Sequence, residues 1–272
     1  MSTALSQYER TALQEINDWK SPEEQTWFGA IANAVSYPFD LAGDAVMSIP
    51  GAQTAVEKTV GGLISLLNDA AQWSIPANSA VEYYKGKKRS VNNRKDIFKL
   101  DLEEIDEAIS YTGAKYRALA AAEGAGAGAV GVIGIPVDIV ALVAMNLRAI
   151  GEYGTYCGFD MSKEHERLFA MRILGVSSSP TDAAKQVALA QLTKIGKEVA
   201  KKQTWKQLER HGFVRLIQEI AKSLGIRLTK AKLAQILPGV GAVIGGGFNA
   251  YYTGKTCTTA YYMYRERFLL EK

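Results

Sequence analysis

The sequence predicts an all-α fold, on the basis of three observations. Apolar residues recur three or four positions apart along most of the chain, which is the spacing of one helical face. We find no run of alternating apolar and polar residues of the kind that forms a half-buried strand. Two stretches, 123–160 and 237–272, begin with glycine-rich apolar runs and continue as helix-forming sequence. We therefore predict a multi-helix bundle built around two glycine-rich helical hairpins.

Composition and charge are those of an ordinary globular protein. The 272 residues are 47% apolar and 22% charged, and we interpret residues 1–272 as a single domain. A net charge of +4 is too small to predict nucleic-acid binding by itself. Cys157 and Cys257, with no secretory signal recognised, indicate free thiols in a reducing compartment, so we expect a cytoplasmic protein.

The first hairpin opens with regularly spaced glycines. Gly124, Gly128 and Gly131 lie three or four residues apart and therefore share one helical face. Glycine inside a helix costs about 1 kcal/mol relative to alanine. The close approach of another helix would explain why glycines are nevertheless found on this face. We predict a helix, a break at 134–136, and a second helix that ends near Tyr156.

Asp138 lies in the apolar part of this hairpin, two residues after Pro136. Proline is common in the first helical turn, where a carboxylate also meets unpaired backbone N–H groups. We therefore predict that Asp138 caps the second helix. On this interpretation, Asp138→Asn costs about 1 kcal/mol of stability.

The same hairpin raises the question of a membrane span. Residues 125–147 are long enough to cross a bilayer and carry no charge except Asp138. That carboxylate, the glycines and the proline disfavour insertion, and the mean hydropathy of −0.06 is typical of a soluble protein. We predict a buried hairpin, with membrane insertion as the alternative.

The second hairpin repeats features of the first. Gly241 and Gly245 lie four residues apart, and the charged run 265–267 follows about twenty residues later, as Arg148 and Glu152 follow the first glycines. An internal structural duplication would explain this repeat. Chance similarity between two glycine-biased segments is the alternative.

The other helices are predicted from apolar periodicity, caps and prolines. Residues 101–116 continue directly into the first glycine run. Ser162 is the predicted cap of a helix that ends near Leu174. A capping box at Ser21-Pro22-Glu23-Glu24 predicts a helix that starts there and ends at Pro38. The remaining predicted helices comprise residues 1–20, 52–73, 181–201 and 205–224.

One stretch, 84–95, is strongly basic. It contains six cations and no acid, so it is a candidate contact for phosphate groups or anionic lipid headgroups. An exposed loop between helices is the simpler interpretation, and no nucleic-acid-binding signature accompanies it. The candidate residues for membrane or anion contact are Lys85, Lys87, Lys88, Arg89, Arg94 and Lys95.

Two motif matches are excluded by their context. Gly126, Gly128 and Gly131 fit the dinucleotide-binding spacing, but helix-forming sequence precedes them where that motif requires a strand. His165 begins a match to the zinc-hydrolase helix, but Phe169 occupies the position of the second histidine. We therefore predict no cofactor and no metal site.

Isolated charged residues in apolar sequence form a second candidate site. Buried carboxylates need a partner, and Arg148 and Glu152, one helical turn apart, are able to pair. A polar network that fixes helix packing is the simpler interpretation, since no nucleophile or general-base signature accompanies these residues. The alternative is a carboxylate-lined pocket that binds a ligand or catalyses hydrolysis. The candidate residues are Glu123, Asp138, Arg148, Glu152, Asp160, Glu166 and Arg167.

Several short sequences occur in an order that is similar to one known family. They are Ala12-Leu13-Gln14-Glu15-Ile16 with Trp19-Lys20, Glu123-Gly124, Pro136-Val137-Asp138-Ile139, Leu147-Arg148-Ala149-Ile150, and Tyr156 with Gly158-Phe159-Asp160 and Glu166-Arg167. In these segments the chain resembles the EcsC family of bacterial proteins, over nearly its whole length. Cys157 interrupts a position where that family tends to have Tyr-Gly. The resemblance implies association with an ABC-type transporter system and with export, but no established reaction.

Two functional hypotheses follow. The first is a non-enzymatic helical accessory protein that contacts a membrane surface or a membrane-protein partner, such as an ABC-type transporter, at the inner face of the cell membrane. The apolar glycine hairpins and the basic stretch motivate it. The second is the ligand-binding or hydrolytic pocket, which requires the candidate carboxylates to converge on one cavity. Neither hypothesis involves nucleic acid, and both leave the oligomeric state open.

Overall fold

Ten α-helices and no β-strand occur in the residues that the computed structural model describes, which confirms the all-α prediction. The described residues are 4–21, 46–69, 75–76, 78–127, 131–179, 182–200, 210–234 and 247–272. The helices are α1 (Gln7–Lys20), α2 (Ala52–Asn68), α3 (Ser79–Gly86), α4 (Leu102–Ile109), α5 (Thr112–Ala127), α6 (Gly131–Tyr156), α7 (Glu164–Ser177), α8 (Asp182–Ala200), α9 (Arg210–Ala234) and α10 (Gly247–Glu271). Short 3₁₀ turns cover Val46–Ser48 and Arg94–Lys99.

The C-terminal helix, α10, is the centre of the bundle. It packs along α5 and also contacts α1, α4, α6, α7 and α8. Because these helices surround α10, large side chains along it are buried, among them Tyr252, Met263, Tyr264 and Phe268. Burial of apolar surface between helices is the main source of stability in such a bundle.

A second group of helices packs beside α10. α9 lies along α2, α2 lies along α6, and α6 contacts α10. Gly225 of α9 permits the first of these contacts, because a Cβ atom there would lie 2.6 Å from Cγ2 of Val60 and 3.3 Å from its Cα. The α6 side chains Ile139, Leu142 and Leu147 are fully buried, so α6 belongs to the core.

The predicted helix break at 134–136 is wrong. α6 begins at Gly131 and continues through Pro136 to Tyr156, so the predicted end is correct. Pro136 lies in the second turn, where its missing N–H removes a hydrogen bond close to the helix start. The connection from α5 instead precedes Gly131, whose φ of +60° favours glycine. Residues 128–130 of this connection lie outside the described residues.

Further boundaries differ from the prediction, and the helix predicted between Ser21 and Pro38 lies almost entirely outside the described residues. The predicted helix that starts at 101 is divided at Ser110 and Tyr111 into α4 and α5, which lets α4 pack on α1 while α5 follows α10. Ser162 does not cap α7, because its backbone N–H and its hydroxyl both donate to Asp160 Oδ1, at 3.2 and 2.6 Å. α7 begins at Glu164 without a side-chain cap.

Within the described part of the chain, α6 is the one helix that is long and apolar enough to cross a membrane. Half of its most apolar window is buried in the bundle. Two large side chains in its first two turns are nevertheless exposed, Ile133 by 86% and Val137 by 74%.

The second glycine-rich run lies largely in 235–246, outside the described residues. α9 and α10 flank this run, as α5 and α6 flank the first one. The internal duplication therefore stays a hypothesis.

Candidate functional site

The carboxylate of Asp138, in α6, forms an ion pair with Lys232, in α9. Oδ2 lies 2.7 Å from Nζ, and the two side chains are 9% and 8% exposed. Asn249, in α10, donates a hydrogen bond from Nδ2 to Asp138 Oδ1 at 3.4 Å. The predicted capping role of Asp138 is therefore wrong, because α6 begins at Gly131 and places this side chain inside the bundle.

Glu123, near the end of α5, belongs to the same group. Burial and the nearby Asp138 carboxylate raise the pKa of Glu123, and the Lys232 ammonium opposes this rise. Oε2 of Glu123 and Oδ1 of Asn249 are buried and have no hydrogen-bond partner among the described residues. Hydrogen-bond acceptors therefore exceed donors in this group, which favours a proton on Glu123.

Gly124 explains how α5 and α10 approach each other at this point. A Cβ atom in its place would lie 3.2 Å from both Cβ and Nδ2 of Asn249. The glycine therefore allows α10 to bring Asn249 within reach of Asp138.

Glu152 binds α5 rather than its neighbour Arg148. Lys115 Nζ lies 2.7 Å from Oε1 and 2.6 Å from Oε2, and the Tyr116 hydroxyl donates to Oε2 at 3.0 Å. Thr112 donates a further hydrogen bond to Oε1 at 3.3 Å. Arg148 is exposed, so a contact between two helices replaces the pair within one helix that the spacing suggested.

Asp160 holds the segment after α6 against the basic stretch. Arg94 Nη2 donates to its Oδ2 at 2.8 Å. Burial by itself would raise the pKa of Asp160, but hydrogen bonds from Ser162 and the Arg94 charge outweigh burial and lower that pKa. The carboxylate is therefore ionised and fixes the position of Arg94.

Glu166, at the start of α7, is paired inside the core. Its two oxygens accept hydrogen bonds from Nη1 and Nη2 of Arg267, at 2.5 and 2.8 Å. The rings of Phe159 and Phe169 have centroids 4.0 and 4.4 Å from the guanidinium carbon, which is a cation–π arrangement. Arg167, the adjacent candidate, is half-buried.

The C-terminal end of α10 carries further ion pairs that the sequence analysis did not assign. They attach α1 and α4 to the bundle: Arg265 pairs with Glu15 of α1 and Asp106 of α4, and Lys20 and Glu9 of α1 pair with Glu266 and Lys272. The Tyr8 hydroxyl donates to the same Asp106 oxygen as Arg265, at 2.8 Å. The feature of the sequence that could have indicated these ion pairs is the run of three consecutive charged residues, 265–267, in a long helix.

The seven candidate residues are dispersed rather than gathered around one cavity in the described part of the chain. Their carboxylates divide among four locations and bind Lys232, Lys115, Arg94 and Arg267. No group of three or more His, Cys, Asp or Glu residues that could hold a metal occurs among the described residues. This geometry supports the interpretation as a structural polar network.

Acids of α4 neutralise part of the basic stretch. Lys87 pairs with Glu107 at 3.1 Å, and Arg89 pairs with Glu104 at 2.8 Å. Arg94 is paired as described above. A general electrostatic attraction of this surface to anionic lipid is correspondingly reduced.

The other three basic candidates are exposed: Lys85, Lys88 and Lys95. Beside Lys85 the surface forms a groove of about 350 Å³. The groove is lined by Asn78, Val81, Glu82, Lys85, Asn92, Asn93 and Arg94. The basic stretch therefore contributes to a concave polar site as well as to an exposed loop.

Comparison with known proteins agrees with the sequence resemblance. The model of the EcsC protein family matches residues 10–269, a range that includes every candidate residue. Protein EcsC of Bacillus subtilis (strain 168) is 28% identical over 181 residues, which cover 66% of this chain and 71% of the relative. No solved structure gives a significant match. The chain therefore belongs to the EcsC protein family.

Proposed function

We propose that this protein is a non-enzymatic helical accessory protein that contacts a bacterial membrane, or a membrane-protein partner, through the first two turns of α6. The observation that carries the proposal is the exposure of Ile133 and Val137, by 86% and 74%. The two residues are four apart and therefore lie on the same face of the helix. Many other large apolar side chains of α6 are buried, so this pair differs from the rest of its own helix.

The expected contact is shallow. Burying a large apolar side chain contributes about 1.5–3 kcal/mol relative to leaving it in water. Two such side chains support reversible association, whereas stable anchoring requires an additional contact. A protein partner in the membrane would supply one.

The ion pair of Asp138 with Lys232 limits how deeply α6 enters the membrane. Asp138 directly follows Val137 and is held by α9 at 2.7 Å. Full insertion of α6 would separate the two charges or carry both into hydrocarbon, and either costs several kcal/mol. We therefore propose peripheral contact rather than a transmembrane α6.

The proposed partner and location rest on the resemblance to the family. The resemblance of this chain to the EcsC family implies association with an ABC-type transporter system. This association supports such a transporter as the proposed membrane-protein partner. We propose the cytoplasmic face of the cell membrane as the site of action. The alternative, a hydrolytic or ligand-binding pocket built from the candidate carboxylates, gains no support from their separation into four locations.

Co-sedimentation with lipid vesicles tests the proposal. The wild-type protein should pellet with vesicles, and the variant Ile133→Asn/Val137→Asn should lose most of this binding because its apolar face is removed. Val187→Asn is the matched control, since Val187 is a 59% exposed valine on α8. Its binding should equal that of the wild type.

Anionic and neutral vesicles are compared in the same experiment. Similar binding to both would show that apolar contact dominates. Wild-type protein that stays in the supernatant with both kinds would exclude direct lipid contact. Equal binding by the wild type and the double variant would exclude α6 as the contact.

A further inference from the structure

We propose that the groove between α3 and residues 92–94 binds a small organic phosphate ester. The groove has a volume of about 350 Å³, which lies within the range of small-molecule sites. Its lining residues are Asn78, Val81, Glu82, Lys85, Asn92, Asn93 and Arg94. They combine two cations, three amides and one carboxylate with one apolar side chain.

The two cations supply the chemistry that holds a phosphate group. Lys85 is in the last turn of α3 and is exposed. Arg94 uses Nη2 to bind Asp160 at 2.8 Å, which orients the guanidinium and leaves its other N–H groups for a ligand. Charge-assisted hydrogen bonds from such donors to phosphate are about twice as strong as neutral ones.

The loop side of the groove is held in place before any ligand binds. Asp96 Oδ2 accepts hydrogen bonds from the backbone N–H groups of Asn92 and Asn93, at 3.0 and 3.1 Å. Asn93 Oδ1 in turn accepts from the backbone N–H of Lys95 at 3.0 Å. A preformed wall lowers the entropy that ligand binding would otherwise cost.

Glu82 determines which phosphate compounds fit. Its carboxylate lines the same groove as Lys85 and Arg94 and repels a bare phosphate dianion. An ester whose organic part carries an ammonium or hydroxyl group can donate to Glu82 while its phosphate binds the cations. The groove therefore selects organic esters over inorganic phosphate.

This inference is independent of the proposed membrane contact. The Tyr84 hydroxyl donates to the Tyr156 carbonyl at 2.9 Å, so α3 and its groove lie at the C-terminal end of α6. Val137 precedes Tyr156 by nineteen residues, or about 28 Å at the helical rise of 1.5 Å per residue. Variants at one end therefore leave the other end intact.

Calorimetric titration of the full chain with O-phosphoethanolamine, glycerol phosphate and inorganic phosphate tests the inference. Both esters should bind at least tenfold more tightly than inorganic phosphate. Lys85→Ala should weaken ester binding at least tenfold. Lys95→Ala, an exposed lysine of the same stretch that does not line the groove, should change it less than twofold. Glu82→Gln should reduce the preference for O-phosphoethanolamine over inorganic phosphate.

No binding of either ester, equal effects of the two lysine variants, or equal affinity for inorganic phosphate would overturn the inference. Competition between phosphatidylethanolamine vesicles and the soluble ester would identify a lipid headgroup as the natural source. Ester binding without such competition would identify a free metabolite, and both results support the site.

Discussion

Asp138 of α6 and Lys232 of α9 form an ion pair that is almost completely removed from solvent, with 2.7 Å between Oδ2 and Nζ. The pair joins the helix that follows the first glycine-rich run to the helix that precedes the second. Two charges at such a depth are tolerated because each is the counter-charge of the other. The loss of either one should therefore affect the whole bundle.

We expect Asp138→Asn to lower the free energy of unfolding by about 3–5 kcal/mol, because the buried Lys232 ammonium would lose its ion-pair partner. A capping role, as predicted from sequence, would cost about 1 kcal/mol. Urea denaturation of both proteins measures the difference.

The variant Asp138→Asn/Lys232→Met is the control for this prediction. It removes both charges and should recover most of the free energy that the single variant loses. A loss near 1 kcal/mol in the single variant, with no recovery in the double variant, would contradict the importance of the pair.

Glu123 should make stability depend on pH. Burial, and then the Asp138 charge, raise the folded-state pKa of Glu123 above its ordinary value of 4.5. The folded state then binds more protons than the unfolded state between these two pKa values, so stability falls as pH rises through that window.

Glu123→Gln should remove this dependence. At pH 7 the variant should melt at a higher temperature than the wild type, and the difference should shrink as the pH falls toward 4.5 and vanish below it. Thermal melts across this pH range measure it. A variant that is less stable than the wild type at pH 7 would show that the ionised carboxylate is favourable.

Helix positions could be predicted from the sequence where local features, such as apolar periodicity, determine them. The end of α6 at Tyr156 was correct because apolar periodicity persists up to that residue. The break at 134–136 was wrong, since a proline in the second helical turn removes few hydrogen bonds. The positive φ of Gly131, which marks the true boundary, leaves no distinct signal among so many glycines.

Charge partners were not predictable, because they depend on the tertiary fold. The sequence showed that Asp138 needs a counter-charge in apolar surroundings. It could not identify Arg267, which is 101 residues from Glu166. The exposure of Ile133 and Val137 also depends on how α6 packs, since both fit the apolar pattern of a core helix.

Gly225→Ala should destabilise the protein by about 1–3 kcal/mol, because overpacking would force α9 away from α2. The added Cβ would lie 2.6 Å from Val60 Cγ2. Gly61→Ala is the matched control, since a Cβ there meets nothing within 4 Å, and it should stabilise α2 by up to about 1 kcal/mol. Thermal melts that shift in the same direction for both variants would contradict the close contact.

Glu166→Gln should cost about 3–5 kcal/mol, because the buried Arg267 guanidinium would lose its counter-charge. Glu164→Gln, in the same helical turn but exposed, should cost less than about 1 kcal/mol. Denaturation curves of the two variants provide the comparison. Similar losses would indicate that Glu166 acts only as an ordinary helix-start acid.

The central claim, contact through the first turns of α6, is tested most directly by an environment-sensitive fluorophore at residue 137. Val137→Cys can be labelled selectively, because Cys157 and Cys257 are buried and burial raises the pKa of the Cys257 thiol to about 12. A label at Val187→Cys serves as the control. With vesicles, the emission of the label at 137 should shift to shorter wavelength while that at 187 stays constant. An unchanged spectrum at 137, or equal shifts at both positions, would contradict direct membrane contact through the first turns of α6.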